Sequence, residues 1–210
     1  MSRREALKGD CAAAEEEQRR VFDVIVATLA LVVLSPLLAL IALLIKLESP
    51  GPVLFRQKRV GKDEKPFEVL KFRSMTVAPP EEARAASEVG DIESFQFRPR
   101  GTKTAIGRAL RACSLDELPN LLNVLRGDMH VVGPRPDEPE LVAQYRPEWR
   151  RRHAVKPGIT GLAQINGRTD LTYAEIMAYD LAYVDKHPFW VDVQIMLKTL
   201  GVVLRREGAR

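Results

Sequence analysis

Apolar residues run almost unbroken from Val24 to Ile45, interrupted only by Thr28, Ser35 and Pro36. As a straight helix this 22-residue run covers about 33 Å, enough to cross a hydrocarbon core of roughly 30 Å. Two features argue against a simple span. Proline removes a helix hydrogen bond and clashes with the preceding turn, and Ser35-Pro36 sits in the middle of the run. Each arm is then only about 12 or 10 residues, near 15–18 Å, which reaches roughly halfway into the bilayer. The Ser35 hydroxyl can take up a backbone carbonyl left unpaired at the bend. Both flanks are also basic, with Arg3, Arg4, Lys8, Arg19 and Arg20 before the run and Lys46, Arg56, Lys58, Arg59 and Lys62 after it. The tendency of positive residues to stay inside places both flanks in the cytoplasm. The pattern therefore predicts a re-entrant membrane helix-break-helix hairpin over residues 20–48, turning at Ser35 and Pro36. An ordinary membrane-spanning anchor is the alternative. A cleaved signal peptide fits poorly, because the run is long, begins late and has no small-residue cleavage site after it. Asp23 follows Arg20 by three residues, a spacing that suits either an ion pair or a plain exposed polar end to the run.

Residues 1–19, with the acidic run Glu15-Glu16-Glu17, read as a charged N-terminal arm. Ser49-Pro50-Gly51-Pro52 is a turn that opens a domain over 49–210. Val53-Leu54-Phe55 and the segment from Phe67 to Phe72 predict two short strands around a polar turn at Gly61–Lys65. Residues 77–103 have no clear period and read as a variable loop with a short helix at 81–88. Helices are expected at 105–112, 114–126, 138–146, 172–186 and 189–205. The last carries a broad apolar face with Trp190 near its start. Burial in the core is the expected outcome for it, with partial insertion at a membrane surface the alternative. The fold class is α+β and mostly helical: a membrane hairpin plus a compact cytoplasmic domain with a short β-hairpin and several amphipathic helices.

Charge and composition narrow the partners. A formal net charge of +4 favours something anionic, and 6% aromatic content without a recognisable nucleic-acid motif turns that away from nucleic acid. Cys11 and Cys113 form no metal-type cluster and read as free thiols of a cytoplasmic-facing domain.

Ser114-Leu115-Asp116-Glu117-Leu118-Pro119-Asn120 places two adjacent carboxylates at a predicted first helical turn. Ser114 and Glu117 also have capping-box spacing, so a purely structural helix start is the competing reading of Glu117. The positive end of the helix dipole favours the ionised form that a nucleophile needs. The two acids point about 100° apart, so one could attack a phosphate while the other binds a metal or handles a proton. Attack on a phosphate demands cations to quench the repulsion. Arg111 lies just upstream, and Arg135 sits between Pro134 and Pro136, which stiffen its loop. Lys71 and Arg73 share a face of the second strand, either as a phosphate-binding patch or as a solvated face. Lys156–Gly161 and Gln164–Arg168 form a Gly-rich, polar, basic stretch in which Gln164, Asn166 and Arg168 offer ligand contacts. His130 and His153 are isolated and receive no role.

Taken together, the apolar run with Ser35-Pro36, Gly51-Pro52-Val53-Leu54-Phe55, Lys71-Phe72-Arg73-Ser74-Met75, Ser114–Pro119, Gly133-Pro134-Arg135-Pro136 and Pro157–Gly161 resemble the bacterial sugar transferases, the monotopic phosphoglycosyl transferases. The resemblance runs from about Arg20 to the C-terminus. Met129-His130 departs from it, where the family usually has a smaller polar residue. The resemblance implies transfer of a sugar-1-phosphate from a UDP-sugar to polyprenol phosphate, releasing UMP, through a covalent phosphosugar on Asp116. It also implies Mg²⁺ at the dyad, associated with Glu117 beside Asp116, and phosphate binding by Lys71, Arg111 and Arg135. The expected place is the cytoplasmic face of a bacterial inner membrane. The expected partners are the two substrates, the membrane lipid and downstream glycosyltransferases of a glycan or exopolysaccharide pathway, with a homodimer left open. The chain looks like a minimal catalytic form. The rivals are a membrane-anchored scaffold without activity and a different lipid-phosphate transferase.

Overall fold

The computed structural model describes residues 3–76, 92–93, 102–167, 170–185 and 188–205. The expected helix at 81–88 and Arg168 lie outside the described residues, as does nearly all of the 77–103 loop.

The charged lead-in and the apolar run form one helix, α1 (Arg3–Glu48), and the expected break at Ser35-Pro36 is replaced by a helix that continues through Pro36. The reason is local. Pro36 has no N–H for the carbonyl of Val32 four residues back. Ser35 Oγ donates to that carbonyl instead, at 2.8 Å. With its acceptor satisfied, the backbone has no need to unwind.

Both halves of α1 dock on the same domain. In the first half, Arg19 Nε donates to Asp192 at 2.7 Å, and Arg20 donates to the carbonyls of Val124 (2.5 Å) and Leu125 (2.7 Å). Asp23 is buried, accepting from the Val131 N–H at 3.1 Å and facing His130 Nδ1 at 2.5 Å. Neither sequence reading of Asp23 holds, because Arg20 caps a helix end and Asp23 pairs across the fold with a histidine given no role. In the second half, Ile41 and Ile45 pack with Phe72 and Leu110. The opposite side of α1 leaves Val21, Ile25, Leu29, Val32, Leu40, Leu43 and Leu47 exposed, spaced three, four or eight residues apart, as one apolar stripe.

The domain begins with an antiparallel hairpin, β1 (Leu54–Val60) and β2 (Pro66–Phe72), closed by a 3₁₀ turn at Lys62–Glu64. The first strand extends past Phe55 to Val60, further than its apolar start suggests. Helix α2 (Ala105–Ala112) is capped by the Thr104 hydroxyl, which accepts from Gly107 N–H at 2.9 Å. It lies so close to the chain after β2 that a Cβ on Gly107 would stand 1.9 Å from the Ser74 carbonyl oxygen. The single helix expected at 114–126 divides into a 3₁₀ turn, Leu115–Glu117, and α3 (Asn120–Arg126). Strand β3 (His130–Val132) pairs in parallel with β4 (Gly158–Thr160), a pairing the sequence did not signal. Between them, α4 covers only Pro139–Val142 of the expected 138–146, followed by a 3₁₀ stretch at Pro147–Ala154. Helices α5 (Leu162–Ile165), α6 (Tyr173–Asp185) and α7 (Phe189–Arg205) complete the chain, the last two close to expectation. Helix α7 divides its apolar residues: Ile195 is buried in the core, whereas Trp190, Leu197 and Leu200 are exposed. The α+β, mostly helical class with a short hairpin therefore holds.

Candidate active site

The turn that carries the two carboxylates is tight. Ser114 adopts a left-handed conformation (φ 56°) and its side chain makes no cap bond, so the capping-box geometry is not formed. Asp116 and Glu117 stand in the 3₁₀ turn ahead of α3 rather than in an α-helix's first turn. The dipole expected to favour an ionised Asp116 is therefore not the dominant influence.

Two elements converge on Glu117. Strand β2 brings Lys71, whose Nζ donates to Glu117 Oε1 at 3.0 Å. The loop after β3 brings Arg135, whose guanidinium forks both carboxylate oxygens: Nη1 donates to Oε2 at 2.9 Å and Nη2 donates to Oε1. Paired, bidentate bonds of this kind combine charge with fixed geometry. Burial alone raises the Glu117 pKa, but Arg135 and Lys71 outweigh it and hold the carboxyl well below the usual range. Glu117 is thus a fixed anion. Burial in turn lowers the Lys71 pKa, against the pull of Glu117.

Asp116 has the opposite environment. It is 7% exposed, and among the described residues its carboxylate makes no hydrogen bond or ion pair. Burial first, and then the adjacent Glu117 charge, raise its pKa, with Lys71, Arg111 and Arg135 opposing. Arg111 ends α2 with only a weak contact from Nη1 to Met75 Sδ at 3.6 Å, which leaves most of its five donors for something else.

Each support is built elsewhere. Asn123 is fully buried, and its side-chain amide pairs with the edge of β2: Oδ1 accepts from Leu70 N–H at 3.1 Å and Nδ2 donates to the Glu68 carbonyl at 2.6 Å. That contact ties Lys71's strand to the helix following the dyad. The Arg135 loop is held by backbone bonds from Gly133 N to Thr160 O (2.8 Å), Gly158 N to Pro134 O (2.9 Å) and Val60 N to Asp137 O (2.9 Å). Side chains would wedge this pairing apart, since a Cβ on Gly158 would lie 2.0 Å from Gly133 N.

The structure thus brings Asp116, Glu117, Lys71, Arg111 and Arg135 into one electrostatic cluster. It does not bring Arg73 there. Arg73 instead caps the end of α1, with Nη1 donating to Pro50 O at 2.7 Å and Nη2 to Ser49 O at 2.7 Å. Gln164 lies beside Gly161 with both amide atoms buried and without partners among the described residues. Ser35 and Pro36 stand in the C-terminal third of α1, away from this cluster in sequence. Sequence reasoning missed Arg59, a half-buried cation one strand over that bonds Gln57 Oε1 at 2.6 Å and faces Glu138 at 3.4 Å. Its signal was available, since Gln57 and Arg59 alternate onto the face that Lys71 shares across the hairpin.

Among the described residues no group of three or more His, Cys, Asp or Glu gathers as a metal cage. Mg²⁺ does not need one, being held commonly by one or two carboxylates and substrate phosphates. The dyad fits that habit: among the described residues Glu117 Oε2 takes a single donor, and the Asp116 oxygens take none.

Residues 14–206 match the profile of a family described as bacterial sugar transferase. The chain is 42% identical over 204 residues to a Caulobacter vibrioides UDP-glucose:undecaprenyl-phosphate glucose-1-phosphate transferase, covering 93% of this chain and 73% of that protein. It is 45% identical over 190 residues to the Escherichia coli protein of the same name, covering 87% of this chain and 39% of that one. An Aeromonas hydrophila UDP-N-acetylgalactosamine-undecaprenyl-phosphate N-acetylgalactosaminephosphotransferase is 38% identical over 199 residues, 91% of this chain and 45% of its own length. The chain thus spans less than half the length of the latter two. By the extent of the profile match and these identities, the chain belongs to the bacterial sugar transferase family.

Proposed function

We propose that the protein is a phosphoglycosyl transferase that moves a sugar-1-phosphate from a UDP-sugar to polyprenol phosphate. An Asp116 carboxylate oxygen attacks the sugar-bearing phosphorus, and the bond to UMP breaks. A phosphate oxygen of the polyprenol then attacks the same phosphorus, the aspartyl bond breaks, and polyprenyl-diphosphate sugar leaves with Asp116 restored. The single observation that carries this reading is the asymmetry of the dyad. Glu117 is locked by two cations, while Asp116 is buried, unpaired and next to an uncommitted arginine. A nucleophile must be unencumbered, and the phosphate it attacks must find cations. Glu117, with Asp116 beside it, would hold Mg²⁺ when the diphosphate enters, and the ion would supply charge neutralisation there. By name the relatives use glucose, N-acetylgalactosamine or galactose, so UDP-glucose, UDP-N-acetylgalactosamine and UDP-galactose head the donor panel. Release of UMP from one of them with added polyprenol phosphate is the expected result. No UMP from any donor would leave the two rivals, a membrane-anchored scaffold and a different lipid-phosphate transferase.

The same account places the protein on the cytoplasmic face of a bacterial inner membrane, its lipid product passing to glycosyltransferases that extend it. In this reading α1 bends at Pro36 while staying helical, so that it enters and leaves one face of the bilayer. This is supported by two halves of α1 docked on one domain, basic flanks at both ends and the apolar stripe between them. In a background with Cys11 and Cys113 changed to serine, Glu15→Cys and Lys58→Cys should both react with an impermeant thiol reagent only from the cytoplasmic side. Labelling from opposite sides would restore the ordinary span.

A further inference from the structure

Behind the Arg135 loop lies a charged cluster that neither substrate chemistry nor membrane docking uses. Arg152, 3% exposed, stands at its centre. Its Nη1 donates to Asp137 Oδ2, to the Tyr145 hydroxyl at 2.5 Å and, more loosely, towards the Tyr173 hydroxyl at 3.4 Å. Its Nη2 donates to Asp180 Oδ2 at 2.6 Å and to the Arg135 carbonyl at 2.7 Å. Tyr145 and Tyr173 in turn donate to Asp137 Oδ2 at 2.6 and 2.5 Å. Four segments meet there: the 135–137 loop, the 3₁₀ stretch, the residues after α4, and α6.

We propose that Arg152 is a positioning residue, fixing the peptide of Arg135 so that the Arg135 guanidinium reaches Glu117 and the phosphate. This rests on the functional reading above. Buried ion clusters add little stability over apolar packing of the same shape, so stability alone does not account for this one. Here the geometry has a direction. The prolines at 134 and 136 set their own φ angles, and Pro136 restrains the residue before it, yet the Arg135 carbonyl still needs a partner to fix its plane. Arg152 supplies one from a site that is itself immobilised by two carboxylates. The fork is needed because one nitrogen serves Asp137 and the tyrosines while the other serves Asp180 and Arg135. A lysine ammonium has one nitrogen and cannot span both. Misplacement of a charged group by about 1 Å costs about 10²-fold in rate, which sets the scale of the effect.

The test is a double-mutant cycle on the full chain with Mg²⁺, measuring kcat/KM for the active UDP-sugar and, separately, equilibrium binding of pyrophosphate. Arg152→Lys should lower kcat/KM by about 10- to 100-fold and weaken pyrophosphate binding. In an Arg135→Ala background the same change should have no further effect, since the group it positions is gone. If the two losses multiply, Arg152 acts on the fold at large and the proposal is wrong. Should Arg152→Lys fail to fold, Asp180→Asn, which keeps an acceptor oxygen near Nη2, should give a smaller loss that Arg135→Ala also erases. A loss that persists in that background, or no loss, overturns it equally. The pyrophosphate arm does not depend on turnover. If no donor yields UMP the functional reading fails, while the binding cycle still decides whether Arg152 works through Arg135.

Discussion

The dyad turn and the Arg152 cluster each gather two carboxylates and arginine in the interior, and they resolve the charge differently. In the cluster, Asp137 and Asp180 share one guanidinium, both bonded to it, and two tyrosine hydroxyls complete Asp137. Burial raises the Asp137 pKa, but Arg152 and the tyrosines hold it below the usual range; burial pushes Asp180 up to about 6. Both terminal nitrogens of Arg152 and both tyrosine hydroxyls are used inside the protein. In the dyad turn three cations surround two acids, yet Glu117 takes both Lys71 and Arg135 while Asp116 takes none. The first arrangement is closed and fixes a loop. The second keeps one acid and one arginine in reserve, which is what a site must do if a phosphate is to enter.

The sharpest way to break the comparison is Asp116→Asn, which removes the reserved acid while keeping its shape. Turnover should fall by about 10³-fold or more, the scale of losing a nucleophile. Polyprenol-dependent UMP release at the wild-type rate would dismiss the assignment. Glu117→Gln comes next. It frees Lys71 and Arg135 and removes the charge that raises the Asp116 pKa, so the acid limb of kcat/KM should move to lower pH. Rate should fall and the Mg²⁺ titration should shift to higher concentration; unchanged metal dependence would return Glu117 to a structural role. Arg111→Ala has the smallest expected effect, a loss of about 10²-fold. Because the Arg111 charge lowers the Asp116 pKa, its removal should move the same limb to higher pH, opposite in sign to Glu117→Gln. Limbs that shift together would show that the limb does not report Asp116.

Much of this site was legible in the sequence because its residues lie in short, chemically consistent runs. Asp116-Glu117, Lys71 and the proline-flanked Arg135 announce themselves, and the structure brings them together. Arg73 sits two residues from Lys71 and reads identically as a strand cation. Only the return of α1's C-terminal end, with carbonyls to cap, takes it elsewhere. The β3–β4 pair was invisible because each strand is three residues long and parallel pairing needs a long crossover. His130 and Asp23, 107 residues apart, form their contact only once α1 lies on β3. Pro36 misled for a nearer reason. The Ser35 hydroxyl was expected to pair the freed carbonyl at a break, and the same bond instead lets the helix run on unbroken. Arg152 carried no local signal at all: a run of three arginines reads as surface, and only its depth in the fold separates it from Arg150 and Arg151.

The central claim is that the unpaired Asp116 carboxylate bonds to phosphorus. Its most direct test is intact-protein and peptide mass spectrometry of wild type and Asp116→Asn, quenched after mixing with UDP-sugar and Mg²⁺ in the absence of polyprenol phosphate. The account predicts a mass increase of one sugar phosphate on the wild-type peptide containing Asp116, stoichiometric UMP, discharge on adding polyprenol phosphate, and none of these in the variant. UMP that forms only when both substrates are present, with no adduct trapped under any quench, would contradict it.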